Sequence, residues 1–324
     1  MRALRIHFTG EDFARVRFAP RAAPLQELHA ALTTAVAPRT GPLFAPWRGR
    51  VLRSLPAAAG PLADLVPVGR PPSFLDVLGD TLADGFGLIR ATGPGLVRSE
   101  LERVYGAVPA PRWIRGLHAG DETAWRTVRH AQLAAYETVL APVWSVVQDL
   151  HREEFTRYAL AVAEHGVAAA LIGLAPGSRL HGGVWEWPGA APARDVRLDG
   201  RGLVLLPTFH HPSGPLLQDA PGRPAVLTYP AGPGLPPAAG GAAVPAEALA
   251  AVLGRTRLEA LCLLAEPHTT TSLARALRVS NATASSHAAA LRSAGMARTT
   301  RTGRSVTHER TALGTLVAGG GGPR

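Results

Sequence analysis

The sequence predicts a mainly helical chain with β segments, an α+β protein in two domains. Three observations lead there. Residues 121–174 carry apolar side chains at helical spacing, and residues 195–229 hold short β-forming runs between Gly and Pro turns. Residues 230–245 are nearly all Pro, Gly and Ala, which reads as a linker between domains of about 230 and 75 residues. At 324 residues the chain exceeds one ordinary domain, and 46% hydrophobic content is enough for sizeable cores.

The elements follow in order. Leu4, Ile6 and Phe8, then Val16 and Phe18, alternate as one or two short strands around a turn at Thr9, Gly10, Glu11 and Asp12. Leu25, Leu28, Leu32 and Val36 predict a helix over residues 25–37. Frequent Pro and Gly limit residues 38–72 to short helices. Ser73 is placed to cap a helix carrying Leu75, Val77 and Leu78. Asp121 is the expected N-cap of the long helical region, which Pro142 should split and Gly166 interrupt. Trp125, Tyr136 and Trp144 on this region read as core or dimer-interface residues. Strands are expected at residues 195–198, 202–209 and 225–229, with Leu203, Val204, Leu205 and Leu206 as a buried run.

Composition narrows the function classes. No stretch of eighteen apolar residues runs uninterrupted, so no membrane span is expected. Residues 1–8 show no signal-peptide pattern, and a cytoplasmic location is expected. Cys262 is the single cysteine, which excludes an intramolecular disulfide and any site needing two thiolates. The net charge is +10, and all 34 basic residues are Arg. Their distribution is uneven: residues 245–324 hold ten Arg against four Glu and no Asp, a net +6. A localised basic surface is the electrostatic footprint of phosphate binding.

Within that segment a first helix spans residues 246–265, with a break expected near Gly254. Thr269, Thr270, Thr271 and Ser272 supply caps for a short second helix bearing Leu273, Ala274 and Leu277. Ser280 caps a third over residues 281–294. On its wheel Ala284, His287, Ala288 and Leu291 face inward, while Ala282, Ser286, Ala289 and Ser293 face out. A small, uncharged outer face permits close approach to a DNA groove, and the helix N-terminus at Asn281 and Thr283 favours phosphate. Gly295 stops the helix. Polar β-branched runs then flank a turn at Arg301, Thr302, Gly303 and Arg304, a hairpin with Arg298 on its first strand. A short helix with Leu313, Leu316 and Val317 precedes a tail, residues 320–324, expected to be disordered.

Helix, helix, recognition helix and hairpin wing over residues 246–319 make a winged helix-turn-helix. The run from Thr271 through Leu277 and the run from Val279 through Met296 resemble the arsenic-repressor-type (ArsR) family of regulators. The resemblance implies a homodimeric, site-specific DNA-binding repressor acting on double-stranded operator DNA. It implies DNA-facing roles for Ser280, Asn281, Thr283, Ser285, Ser286 and Ala289, with Arg298, Arg301 and Arg304 on the wing. Family members that sense metals do so through cysteine pairs on the helix before the turn; residues 271–279 have none. The region before the linker is then expected to serve dimerisation, sensing of a small organic ligand, or both.

Other constellations carry less. His210 and His211, adjacent on a strand end, should point to opposite faces and cannot readily share an ion, and His181 lies thirty residues earlier. His151 and Glu154 read as a solvated helix face, and His165 as structural. No nucleophile elbow, paired-carboxylate motif or phosphate-cradling loop occurs, so neither catalysis nor a cofactor is expected. The alternative to a regulator is an enzyme or ligand-binding protein whose winged helix contacts other proteins; a nonspecific nucleoid binder is a third reading.

Overall fold

The structure, a computed structural model, describes residues 3–37, 44–67, 71–106, 108–190, 193–220, 222–232, 246–302 and 305–318. The predicted linker residues 233–245, the wing residues Gly303 and Arg304, and the tail therefore lie outside the described residues. The chain divides into two compact units, Met1–Pro236 and Pro237–Arg324.

The first unit is mixed α and β. It begins β1 (Ala3–His7), α1 (Gly10–Ala14), β2 (Val16–Phe18), α2 (Pro24–Val36), α3 (Ala45–Ser54) and α4 (Pro61–Asp64). It continues through α5 (Leu82–Arg90), α6 (Pro94–Tyr105), α7 (Arg112–Ala119), α8 (Glu122–Val139) and α9 (Trp144–Gly173). It ends in β3 (Arg179–His181), β4 (Val184–Pro188), β5 (Arg194–Arg197), β6 (Leu203–Thr208), β7 (Leu216–Gln218) and β8 (Ala225–Pro230).

Among the described residues two four-stranded sheets form, in the orders β3-β4-β1-β5 and β2-β6-β8-β7. In the second, β2, β6 and β8 run parallel. All six residues of β6 are buried, as a parallel strand covered on both faces requires. Leu203 and Leu205 pack with Ile6, Trp185 and Tyr158, while Val204 and Leu206 pack with Ala19 and Ala23.

Pro142 splits the long helical region through a 3₁₀ turn at Ala141–Val143, and Asp121 caps α8 by accepting from the Thr123 amide at 2.9 Å. Gly166 interrupts α9 with φ 82° and ψ 167°. Trp125 and Tyr136 are buried, and Trp144 packs edge-on against Tyr136.

Several expectations are corrected. Thr9, Gly10, Glu11 and Asp12 do not make a turn between paired strands. Thr9 and Asp12 form a capping box that starts α1, and β1 and β2 enter different sheets. Ser73 caps no α-helix: residues 73–75 make one 3₁₀ turn, and the Ser73 amide donates to Glu100 at 2.6 Å. The following helix starts at Leu82, capped by Thr81. His151 and Glu154 are buried, not solvated, because this side of α9 faces the core; His151 Nε2 donates to the Ala19 carbonyl at 2.9 Å. His210 and His211, whose exposure the sequence leaves open, are buried, and their separate partners agree with the expectation that they do not act on one ion. Nδ1 of His210 lies 2.6 Å from Glu27, and Nδ1 of His211 lies 2.9 Å from the Thr34 hydroxyl.

The second unit contains α10 (Ala246–Leu253), α11 (Arg255–Leu263), β9 (His268–Thr269), α12 (Thr270–Leu277), α13 (Asn281–Ser293), β10 (Ala297–Thr302), β11 (Ser305–Arg310) and α14 (Ala312–Ala318). Its three-stranded sheet has the order β10-β11-β9. Leu261, Leu264, Leu273, Leu277, Ala284, Ala288 and Leu291 form its core, so α11, α12 and α13 are held against one another by their apolar faces. This is a helix-turn-helix with a hairpin wing.

Candidate nucleic-acid interface

The interface is built around α13. Ser280 caps it, its hydroxyl accepting from the Thr283 amide at 3.1 Å while the two hydroxyls lie 2.8 Å apart. The helix stops in a Schellman arrangement: the Met296 amide donates to the Leu291 carbonyl at 2.8 Å and the Gly295 amide to that of Arg292 at 2.9 Å. Gly295 takes φ 71°, the left-handed conformation this stop requires.

Between the two caps the helix presents distinct faces. Ala284, Ala288 and Leu291 are buried, and His287 is half-buried with Nδ1 inaccessible and unpartnered. Asn281, Ala282, Thr283, Ser285, Ser286 and Ser293 are exposed, and Ala289 is half-buried at the margin. No charged residue occurs from Val279 through Leu291, whereas the flanking Arg278 and Arg292 are both exposed. The exposed surface thus combines hydroxyls, one amide and methyl groups at its centre with guanidinium groups at both ends. Hydroxyl, amide and methyl groups suit base edges, and guanidinium groups suit phosphates.

The turn between α12 and α13 holds a residue the sequence did not single out. Arg278 adopts φ 57° and ψ 40°, a left-handed conformation normally left to Gly or Asn. It lets the Val279 amide return to the Ala274 carbonyl at 3.0 Å, which closes the turn. No local signal marks an Arg for this role.

The wing is a regular antiparallel pair, with Arg298 opposite Glu309, Thr299 opposite His308 and Arg301 opposite Val306. The second strand starts at Ser305 as expected; the strands extend further than expected at their C-terminal ends, β10 through Thr302 and β11 through Arg310, and β11 also pairs with β9. Arg298 Nε donates to Glu309 at 2.7 Å, an ion pair across the hairpin. Arg301 is exposed near the wing end; Arg304 falls outside the described residues.

The link between wing and helix pair is His308, which the sequence also left unmarked. It is 5% exposed and contacts hydroxyls on both sides, Thr270 on α12 at 3.0 Å and Thr299 on β10 at 2.9 Å. Burial, with a smaller effect from the Arg292 charge, holds its pKa below the ordinary histidine value. The imidazole is neutral near pH 7, so one nitrogen donates and the other accepts.

Among the described residues no group of three or more His, Cys, Asp or Glu side chains is placed to hold a metal ion, and no helix is long and apolar enough to cross a membrane. Comparison with known families adds one finding. Residues 254–299 match the family described as bacterial regulatory protein, arsR family. The second unit therefore carries an ArsR-type helix-turn-helix, a domain of DNA-binding transcription regulators. No curated protein and no solved structure matches the chain.

Proposed function

We propose that the chain is a site-specific transcriptional regulator, a homodimer that represses by occupying operator DNA. The observation that carries this reading is the exposed face of α13: small, uncharged and bracketed by arginines, on a helix capped at both ends and braced by a buried core. A helix that merely met solvent would gain nothing from excluding charge over thirteen residues. A helix lying in a major groove would gain, because acidic side chains there repel phosphates and small ones let the helix approach the base edges closely.

In this reading Asn281, Ser285 and Ser286 face base edges. Ser280 and Thr283 set the helix N-terminus against phosphate, and Arg301 with Arg304 follows the backbone from the wing. The first unit supplies dimerisation and the sensing of a small organic ligand. Cys262 is the chain's only cysteine, so one chain cannot supply a pair of thiolates for sensing. The chain performs no catalysis in this reading and needs no cofactor.

The test is binding of the full-length protein to its own promoter region and to random DNA of equal length, at near-physiological salt. A preference of about a thousandfold is expected of a specific binder. Equal weak binding to both would indicate a nonspecific binder. No binding even at low salt would assign the winged helix to protein contacts.

A further inference from the structure

The amino-terminal ends of the parallel strands β2, β6 and β8 border a cleft of about 720 Å³ in the first unit. Its walls come from α1, from the turn through Asp199 and Gly200, and from the turn that enters β8 at Pro224. The size falls within the range of small-molecule sites. Four arginines line it, Arg15, Arg17, Arg201 and Arg223, against two carboxylates, Glu11 and Asp199.

The four are not equally engaged. Arg15 Nη2 lies 2.7 Å from Glu11, and its Nη1 donates to the Gly200 carbonyl at 2.6 Å. Arg201 donates to Asp219 at 2.7 Å and to the carbonyls of Arg197 and Leu198 at 2.6 and 2.9 Å. These two are structural parts of the wall. The side chains of Arg17 and Arg223 have no hydrogen-bond or ion-pair partner among the described residues, and both are exposed.

The frame under them is rigid. The buried Asp12 carboxylate accepts from the Gly202 amide at 2.9 Å and from Thr9 at 2.8 Å, which locks α1 to the start of β6. Arg17 pairs with Val204, and Val204 with Val226. Arg17 thus stands two strand spacings, roughly 10 Å, from the line of β8. Both side chains line the cleft and are long enough to reach one ligand across that gap. With Glu11 taken up by Arg15 and Asp219 by Arg201, Arg17 and Arg223 share the cleft with one other carboxylate, the exposed Asp199, so the concavity is net positive and attracts anions, and the planar guanidinium forks suit carboxylate and phosphate.

We propose that this cleft binds a small organic polyanion, carrying two or more carboxylate or phosphate charges, clamped between Arg17 and Arg223. Its role as the effector of DNA binding rests on the regulator reading; the binding site itself does not.

The experiment is isothermal titration calorimetry of the full-length protein with citrate and with pyrophosphate at constant ionic strength, with glucose as the neutral control. Saturable binding of at least one polyanion, one per chain, is expected. It should weaken at least tenfold in the Arg17→Ala/Arg223→Ala double variant and stay unchanged in Arg98→Ala, an exposed arginine of α6. An Arg17→Lys/Arg223→Lys variant should give an intermediate affinity, since it keeps charge and loses the fork. Absence of saturable binding, or equal affinity in the double alanine variant, overturns the site; the latter would move the anion to the basic second unit. Promoter binding by the same preparations separates the two ideas. DNA binding without polyanion binding overturns the cleft alone, and polyanion binding lost in the double variant without DNA binding leaves the cleft and overturns the regulator.

Discussion

His308 on the wing lies 3.0 Å from the hydroxyl of Thr270, the first residue of α12, and so couples the hairpin to the helix pair that positions α13. The same ring reaches Thr299 with its other nitrogen, so a single buried imidazole spans three elements. His308→Ala should leave both hydroxyls without their partner and open a small void. The second unit is expected to lose about 1–3 kcal/mol. Thermal melting checks this, with Thr299→Val losing less because only one bond goes. An unchanged melting temperature in His308→Ala would show that the wing is held by strand pairing alone.

Ser286 is exposed near the middle of α13, where the helix should lie closest to DNA. Ser286→Glu should abolish promoter binding while leaving the stability within about 0.5 kcal/mol of wild type, the usual range for a surface change. Fluorescence anisotropy with labelled promoter DNA reads the first and circular dichroism the second. Retained affinity would mean that another face of the helix meets the groove.

Arg301 is expected on phosphate. Arg301→Ala should weaken binding to specific and random DNA alike and reduce the slope of log affinity against log salt by about 0.9. Arg298 already pairs with Glu309 across the hairpin. Arg298→Ala should change the slope less, and Glu309→Gln, which releases Arg298, should raise affinity slightly at low salt. A larger slope change for Arg298 than for Arg301 would reverse this assignment.

Burial lowers the pKa of His151 and of His211, with the Glu27 charge opposing in both. Nδ1 of His151 has no partner, so protonation there would place a charged donor against nothing. Both groups take up protons more readily unfolded than folded. Stability of the first unit is therefore full above the unfolded value of about 6.5 and falls as pH drops from there toward the lower folded values. Chemical denaturation at pH 7.5 and 5.5 should show the loss. His151→Gln should lower stability at pH 7.5 and flatten the pH dependence. An equal slope in that variant would remove His151 from the account.

Gly202 combines φ 77° with close approach to α1: a Cβ there would stand 2.5 Å from the Arg15 Cβ and 2.9 Å from its carbonyl oxygen. Gly202→Ala should cost about 3 kcal/mol, from left-handed strain together with overpacking. Denaturant titration monitored by tryptophan fluorescence reads it. A cost below about 1 kcal/mol would mean that the start of β6 yields easily.

Much of the second unit was legible in the chain because its information is local. Ser280, Gly295 and the period of Ala284, Ala288 and Leu291 each act within one helix, so caps, stop and faces follow from spacing. The same holds for Asp121, Pro142 and Gly166 in the first unit. Local order failed where two conformations suit the same residues: Thr9 through Asp12 serve a turn or a capping box equally well, and Ser73 suits a cap that no helix here uses.

By itself the sequence determined the helix boundaries around α8, α9 and α13, the buried character of β6 and the small, uncharged character of the exposed face of α13. Only the tertiary structure decided that β1 and β2 part into separate sheets, that His151 and His308 are buried, and that Arg17 and Arg223 border one cleft. The physical reason is range. Caps, breakers and amphipathic periods act over a few residues of chain. Sheet order, burial of a polar ring and the meeting of distant arginines depend on partners tens to hundreds of residues away, which no local pattern specifies.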